Sequence, residues 1–284
     1  MAGVSGMPGG RISVSAVLDE AVELVARRVH GPAGLLILTS LPLRFVEAWL
    51  LNRLLQLEEP TEYINHLTSL SILVSCALLP ALWGRATYAR ACSLALTGSA
   101  AGVARMPWRD RLRLNPAGFL SYVYAAALFE LLFVAIGWTV IAAPVLALFS
   151  GLAAAVSHLE VKPGPLASLI QVVRHARPPA LLLGLTLIFF LAVPVAFANL
   201  YVFFQLLLWL ASGTTGIDAA WWSVALSHQN PQFLLLTLAG ALLLVEPFWL
   251  AALVAAVRRA RARQSGEDLT AWFAALRARD EEAA

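Results

Sequence analysis

Charge is scarce in this 284-residue chain: 13% of residues are Asp, Glu, Lys or Arg, 60% are hydrophobic, and mean hydropathy is +0.76. A soluble domain is about a quarter charged and nearer half apolar. The shortage therefore excludes a water-soluble enzyme, a disordered tail and a nucleic-acid-binding domain. Cysteine is almost missing too. Cys76 sits inside an apolar run and Cys92 near its basic end, which supports neither a disulfide framework nor a thiolate metal site. Lysine is reduced to Lys162, beside Pro163, so no Ser-Lys dyad is available. The first residues, Met1 to Arg11, are Gly-rich without an apolar centre, and no cleavable signal peptide is expected from them. The first apolar segment is then its own insertion signal.

What the chain does have is long apolar runs. A membrane span needs about 20 largely apolar residues, and six segments qualify as candidates: 32–55, 63–83, 119–141, 144–158, 180–210 and 232–257. The second is open to continuation as helix beyond Trp83. The stretch from Phe119 to His158 is nearly uninterrupted, and Ala142-Ala143-Pro144 is the expected hairpin turn within it, because proline disfavours helix at the residue before it.

The net charge of +3 and pI of about 9.2 acquire meaning from position. Arg11, Arg27 and Arg28 precede span one; Arg85, Arg90, Arg105, Arg109, Arg111 and Arg113 follow span two. Lys162, Arg174 and Arg177 follow span four, and Arg258, Arg259, Arg261 and Arg263 follow span six. The other side holds Glu58, Glu59, Glu62 and Asp218, with Arg53 the one basic residue near it. By the positive-inside rule both termini are cytoplasmic. Crossing twice between Phe119 and His158 keeps Lys162, Arg174 and Arg177 with the other basic clusters. The expected fold is an all-α polytopic membrane helix bundle of six transmembrane helices, N-in/C-in. Residues 1–12 form a flexible tail, 13–264 a single membrane domain and 265–284 a cytoplasmic amphipathic helix.

Amphipathic surface helices complete the plan. Val14, Val17, Leu18, Ala21 and Val25 recur at helical spacing, predicting a helix on the membrane surface, with Glu23 and Arg27 placed as an i,i+4 pair. Ser265 with Asp268 resembles a capping-box start, and Leu269, Trp272, Phe273 and Leu276 follow at helical spacing. That helix either folds back on the bundle or lipid, or docks a partner. Trp221 and Trp222 mark an outer interface, and Ile217 to Ser227 suits a short helix along it. Ala147, Gly151 and Ala155 give the fourth span a small-residue face that lets backbones approach closely.

Ionisable groups inside apolar runs cost about 2.5–3.5 kcal/mol each even on the lenient insertion scale. Arg44 and Glu47 in span one, Glu130 in span three and Glu246 in span six therefore need a reason. Counted at 1.5 Å per residue, Arg44, Glu130 and Glu246 all lie roughly 16–18 Å deep in a core about 30 Å thick. One cation and carboxylates at one level predict an ion-pair cluster joining the spans, with Glu47 one turn outward on the Arg44 face. Such a cluster is either structural glue or part of a polar pathway. Pro42, Pro80, Pro194 and Pro247 lie within spans, two of them beside these charges, as in the broken helices that line transporter sites.

Catalytic signatures do not add up. Gly3-Val4-Ser5-Gly6 has the Gly-x-Ser-Gly letters of rhomboid-type proteases but lies in a polar tail without a partner His in a span. His30, His66, His158, His175 and His228 are scattered, and no His-Glu-x-x-His or Cys-x-x-Cys spacing supports a metal or other cofactor. No phosphate-binding glycine loop follows a strand, and Gly98-x-x-x-Gly102 lies past the end of span two. A non-enzymatic protein is expected.

Several short sequences, in order, resemble a bacterial six-span integral membrane family that includes the membrane domain fused to some glycerophosphodiester phosphodiesterases. They are Leu18-Asp19-Glu20-Ala21, Pro42, Pro144, Glu160 leading into Gly164-Pro165-Leu166-Ala167-Ser168-Leu169, and the Arg-rich exit into Gly266-Glu267-Asp268-Leu269. The sequence departs from the family pattern at Ala255-Ala256-Val257, where aromatic and acidic residues often stand, and carries no phosphodiesterase domain. The resemblance implies a protein of the bacterial cytoplasmic (inner) membrane, often an accessory to other factors, and supplies no catalytic residues. Two functions follow as expectations. One is a non-enzymatic accessory or scaffold subunit contacting anionic lipid or a membrane or cytoplasmic protein partner through Arg109, Arg111, Arg113, Arg258, Arg259, Arg261, Arg263, Trp272 and Phe273. The other is a small transporter or channel using Arg44, Glu47, Glu130 and Glu246.

Overall fold

A computed structural model describes residues 13–54, 60–97, 114–136, 142–157, 169–172, 174, 179–215 and 220–266. Every regular element among them is helical. The chain runs α1 (Val14–Glu23), a π-helical turn (Leu24–Arg28), α2 (His30–Leu54), α3 (Pro60–Thr97), α4 (Pro116–Ile136), α5 (Ala142–Val156), α6 (Pro179–Thr215), α7 (Ala220–Ala225) and α8 (Pro231–Ser265). Among the described residues three helices are long and apolar enough to cross a membrane, within α2, α6 and α8, and shorter apolar helices lie within α4 and α5.

Helix α8 is the axis of the bundle, packing on α1, α2, α3, α5 and α6, while α2 pairs with α3 and α4 with α5. Small side chains make this possible. Ala251, Ala252, Ala255 and Ala256 of α8 are buried, as are Ala153, Ala154 and Ala155 of α5. Gly151 shows how close the approach is: a Cβ there would fall 2.6 Å from Leu253 Cδ1 and against the Trp249 ring. The small face read in 147–155 is thus an α5–α8 contact. Gly84 plays the same part between α3 and α2, where an added Cβ would meet the Thr39 side chain. Larger side chains, among them Leu152, Leu182, Leu250 and Leu253, fill the space between these contacts.

The helix ends follow local chemistry. Ser13 caps α1 by accepting from Ala16 N at 3.1 Å. Asn230 caps α8 by accepting from Gln232 N and Phe233 N, with Pro231 in the first turn. Its amide also donates to the Ala225 carbonyl at 2.7 Å, tying α7 to α8. Gly266, at φ +72°, ends α8 in the left-handed conformation that glycine adopts without strain.

Four readings of the sequence change. The apolar stripe of α1 is covered by protein: Val17, Ala21 and Leu24 are buried in the main core. Glu23 pairs with Arg28, at 2.8 Å, and not with Arg27, because the π-helical turn brings residues five apart onto one face. Ala142 and Ala143 are already helical, so the expected turn is not at those residues; Pro144 sits in the first turn of α5, where its missing N–H would have had no partner anyway. Ser265 is the last residue of α8, its hydroxyl donating to the Ala262 carbonyl at 3.2 Å, while its expected capping partner Asp268 lies outside the described residues. Arg259 is engaged inside the protein: it donates to Glu20 at 2.9 Å and to the Ala16 carbonyl at 3.2 Å, clamping α1 onto α8. Arg261 and Arg263 remain on the exposed end of α8, and Arg258 is half-buried. Arg109, Arg111, Arg113, Trp272 and Phe273 lie outside the described residues, as does Gly98-x-x-x-Gly102.

Candidate functional site

The charges that interrupt the apolar helices meet in one place. Arg44 and Glu47 are one turn apart on α2, and an Arg44 Nη1 to Glu47 Oε2 bond of 2.7 Å closes that turn. The other terminal nitrogen of Arg44 reaches Glu246 Oε2 of α8 at 3.4 Å. Glu130 falls in α4, but its side chain lies outside the described residues.

A fourth member comes from α3. Arg85 Nε donates to Glu246 Oε1 at 2.5 Å, so the Glu246 carboxylate lies between two guanidiniums. By sequence, Arg85 falls with the basic cluster that follows Trp83. It lies in the bundle because α3 does not end at Trp83 but runs on to Thr97. The stripe Ala81, Tyr88, Cys92 and Ala95, all buried, carries Arg85 on the same helical face. That spacing was the available signal.

Burial grades the four residues. Glu246 is 5% exposed, Arg85 11%, Arg44 17% and Glu47 36%. A carboxylate as buried as Glu246 stays charged only when paired and hydrogen-bonded, and it is both. Two cations and two carboxylates balance among the described residues. Close by, buried Tyr88 of α3 donates from its hydroxyl to the Pro247 carbonyl at 3.0 Å. The prolines within the spans, Pro42, Pro80, Pro194 and Pro247, lie inside helices that continue through them.

The cluster is not sealed. All four charged residues line a partly open pocket of about 400 Å³, within the range of small-molecule sites. The remaining walls are mainly apolar and come from α4, α5, α6 and α8, with Ser150 the other polar contributor. Trp249 and Phe189 stack across the α6–α8 seam with ring centroids 4.6 Å apart and form one wall. The pocket thus has a charged end and a long apolar flank, an arrangement that can bind a molecule of mixed polarity.

No family model matches the chain, and no curated protein or solved structure is significantly similar to it. The reading of function rests on the site itself.

Proposed function

We propose that this chain is a six-span, N-in/C-in protein of the bacterial cytoplasmic membrane, non-enzymatic, and that it works as a small transporter or carrier. Its ligand site is the pocket at Arg44, Glu47, Arg85 and Glu246. The membrane assignment is supported by three helices of sufficient length and hydropathy. It is supported also by apolar side chains left exposed along α6, such as Leu191 at 70% and Trp209 at 73%, a surface that a soluble monomer does not tolerate. The distribution of arginine supports the orientation, and the resemblance to the six-span family agrees with both.

One observation carries the functional reading: the ion-pair cluster faces a cavity of about 400 Å³ and is not enclosed by packed side chains. Charges kept only as glue gain nothing from a cavity, because burial strengthens their attraction, whereas charges that meet a ligand need one. The accessory-scaffold reading draws on a different fact, the Glu246 carboxylate joining α2, α3 and α8 through two arginines. In that reading the arginines near the cytoplasmic end of α8 hold anionic lipid or a protein partner.

Thiol accessibility separates the two. In a Cys76→Ala background, Ser150→Cys places a thiol on the pocket wall of the reconstituted protein. Reaction with a small permeant maleimide is expected, as is protection when the pocket is filled by Leu242→Trp. A thiol that stays unreactive in the folded protein, and reacts only after denaturation, would overturn the carrier reading in favour of the scaffold.

A further inference from the structure

The pocket's two ends differ in chemistry, and that difference selects a ligand class. Among its wall residues the well-exposed apolar ones are Phe190 and Pro194 of α6 and Leu238 of α8. They lie within the apolar lengths of those helices, so in the membrane placement proposed above this exposed side of the pocket faces hydrocarbon. A polar solute entering there would lose its hydration without replacement, whereas a chain-bearing molecule already in the bilayer would not.

The charged end is selective as well. Glu246 is spoken for: its two oxygens accept from Arg44 and Arg85, and it is almost wholly buried. Glu47 is the opposite case. It is the most exposed of the four, 36%, and its bond is to Arg44 through one oxygen, Oε2. The most accessible charged group among the pocket's four is therefore a carboxylate, an acceptor of N–H donors. An anionic head would meet that carboxylate at close range in a medium of low dielectric, where like charges repel strongly. An amine would add a charge-assisted hydrogen bond there.

We propose that the pocket binds an amine-bearing amphiphile drawn from within the bilayer, its ammonium on Glu47 and its chain along the α6–α8 wall. The proposal rests on the carrier reading above and names its ligand class. Two sources share this chemistry, a zwitterionic aminophospholipid and a simple lipophilic amine.

Native mass spectrometry of the full chain decides the matter, after equilibration with an equimolar mixture of phosphatidylethanolamine and phosphatidylglycerol, and separately with dodecylamine against dodecyl phosphate. The wild type is expected to retain the amine-bearing member of at least one pair by about ten-fold. Glu47→Gln is expected to lose that preference, and Glu47→Asp, which keeps the carboxylate and controls for folding, to retain most of it. Preference in the phospholipid pair assigns the aminophospholipid; preference in the dodecyl pair alone assigns the lipophilic amine. Equal retention in both pairs, an anionic preference, or a preference unchanged in Glu47→Gln overturns the proposal. If this happens while Ser150→Cys remains reactive, only the ligand class fails; if Ser150→Cys is sealed, the carrier reading fails with it.

Discussion

Helices α6 and α8 are of nearly equal length, yet they sit in the bundle in opposite ways. The most apolar stretch of α6 has a mean hydropathy of 2.6 and is 33% buried; that of α8 has 2.1 and is 61% buried. In water the more apolar helix would take the interior. In lipid that driving force disappears, since hydrocarbon is as good a solvent for leucine as another leucine is. Close packing then favours small residues and satisfied polar groups. Helix α8 has both, in Ala251, Ala252, Ala255 and Ala256 and in Glu246, and it becomes the axis. Helix α6 presents Val202, Phe203, Leu206 and Trp209 outward, all more than half exposed.

The sharpest way to break this contrast is to remove the polar anchor of α8. Glu246→Ala leaves Arg44 and Arg85 without the carboxylate they share. Breaking a buried ion pair by removing one partner costs about 3–5 kcal/mol, an upper bound here because Arg44 keeps Glu47. A large fall in the thermal unfolding midpoint in detergent is expected. In a double-mutant cycle, Arg85→Met combined with Glu246→Ala should lose less than the sum of the two single losses, and purely additive losses would deny the pairing.

Gly151→Val tests the steric half of the argument. The added atoms would run into Leu253 and Trp249 of α8, and overpacking of a tight contact costs about 1–3 kcal/mol. The same thermal measurement should show a clear loss, together with reduced labelling of Ser150→Cys as the displaced Trp249 narrows the pocket. A neutral result would mean that α5 and α8 are not in the close contact described.

Tyr88→Phe is a smaller perturbation of the α3–α8 seam. It removes one buried hydrogen bond to the Pro247 carbonyl and keeps the ring. A loss of about 1 kcal/mol is expected, as for a single neutral bond. A loss as large as that of Glu246→Ala would show that the hydroxyl belongs to the charged network.

Much of this was legible in the sequence, and what was not has physical causes. The helical class and the position of the apolar helices follow from run length alone. Arg44, Glu47 and Glu246 announce themselves because a charge in an apolar run is costly wherever it sits. Arg85 was hidden by its position at the edge of an apolar run, where hydropathy falls although the helix continues. Its buried stripe sets a mildly polar aromatic, Tyr88, beside the small side chains of Cys92 and Ala95, which a hydropathy criterion undervalues. The Glu23–Arg28 pair depends on one extra residue in a helical turn, and no side-chain pattern in 24–28 encodes that. The pocket was invisible for a different reason. A cavity is a property of how six helices meet, and none of its walls has an unusual composition by itself.

The smallest effect is expected where hydropathy is greatest. Leu206→Ala in α6 truncates a side chain that is 58% exposed. In a soluble core a leucine truncated to alanine costs about 2–5 kcal/mol through lost transfer energy and a residual cavity. Neither term applies on a surface that faces hydrocarbon, where lipid refills the space and the removed atoms leave one apolar solvent for another. The unfolding midpoint should therefore stay close to that of the wild type in detergent and in bilayers, while Leu253→Ala in α8, fully buried, falls well below it. If Leu206→Ala is as damaging as Leu253→Ala, the exposed face of α6 is packed against protein, a second copy or another chain. The contrast between α6 and α8 would then be one of partner and not of solvent.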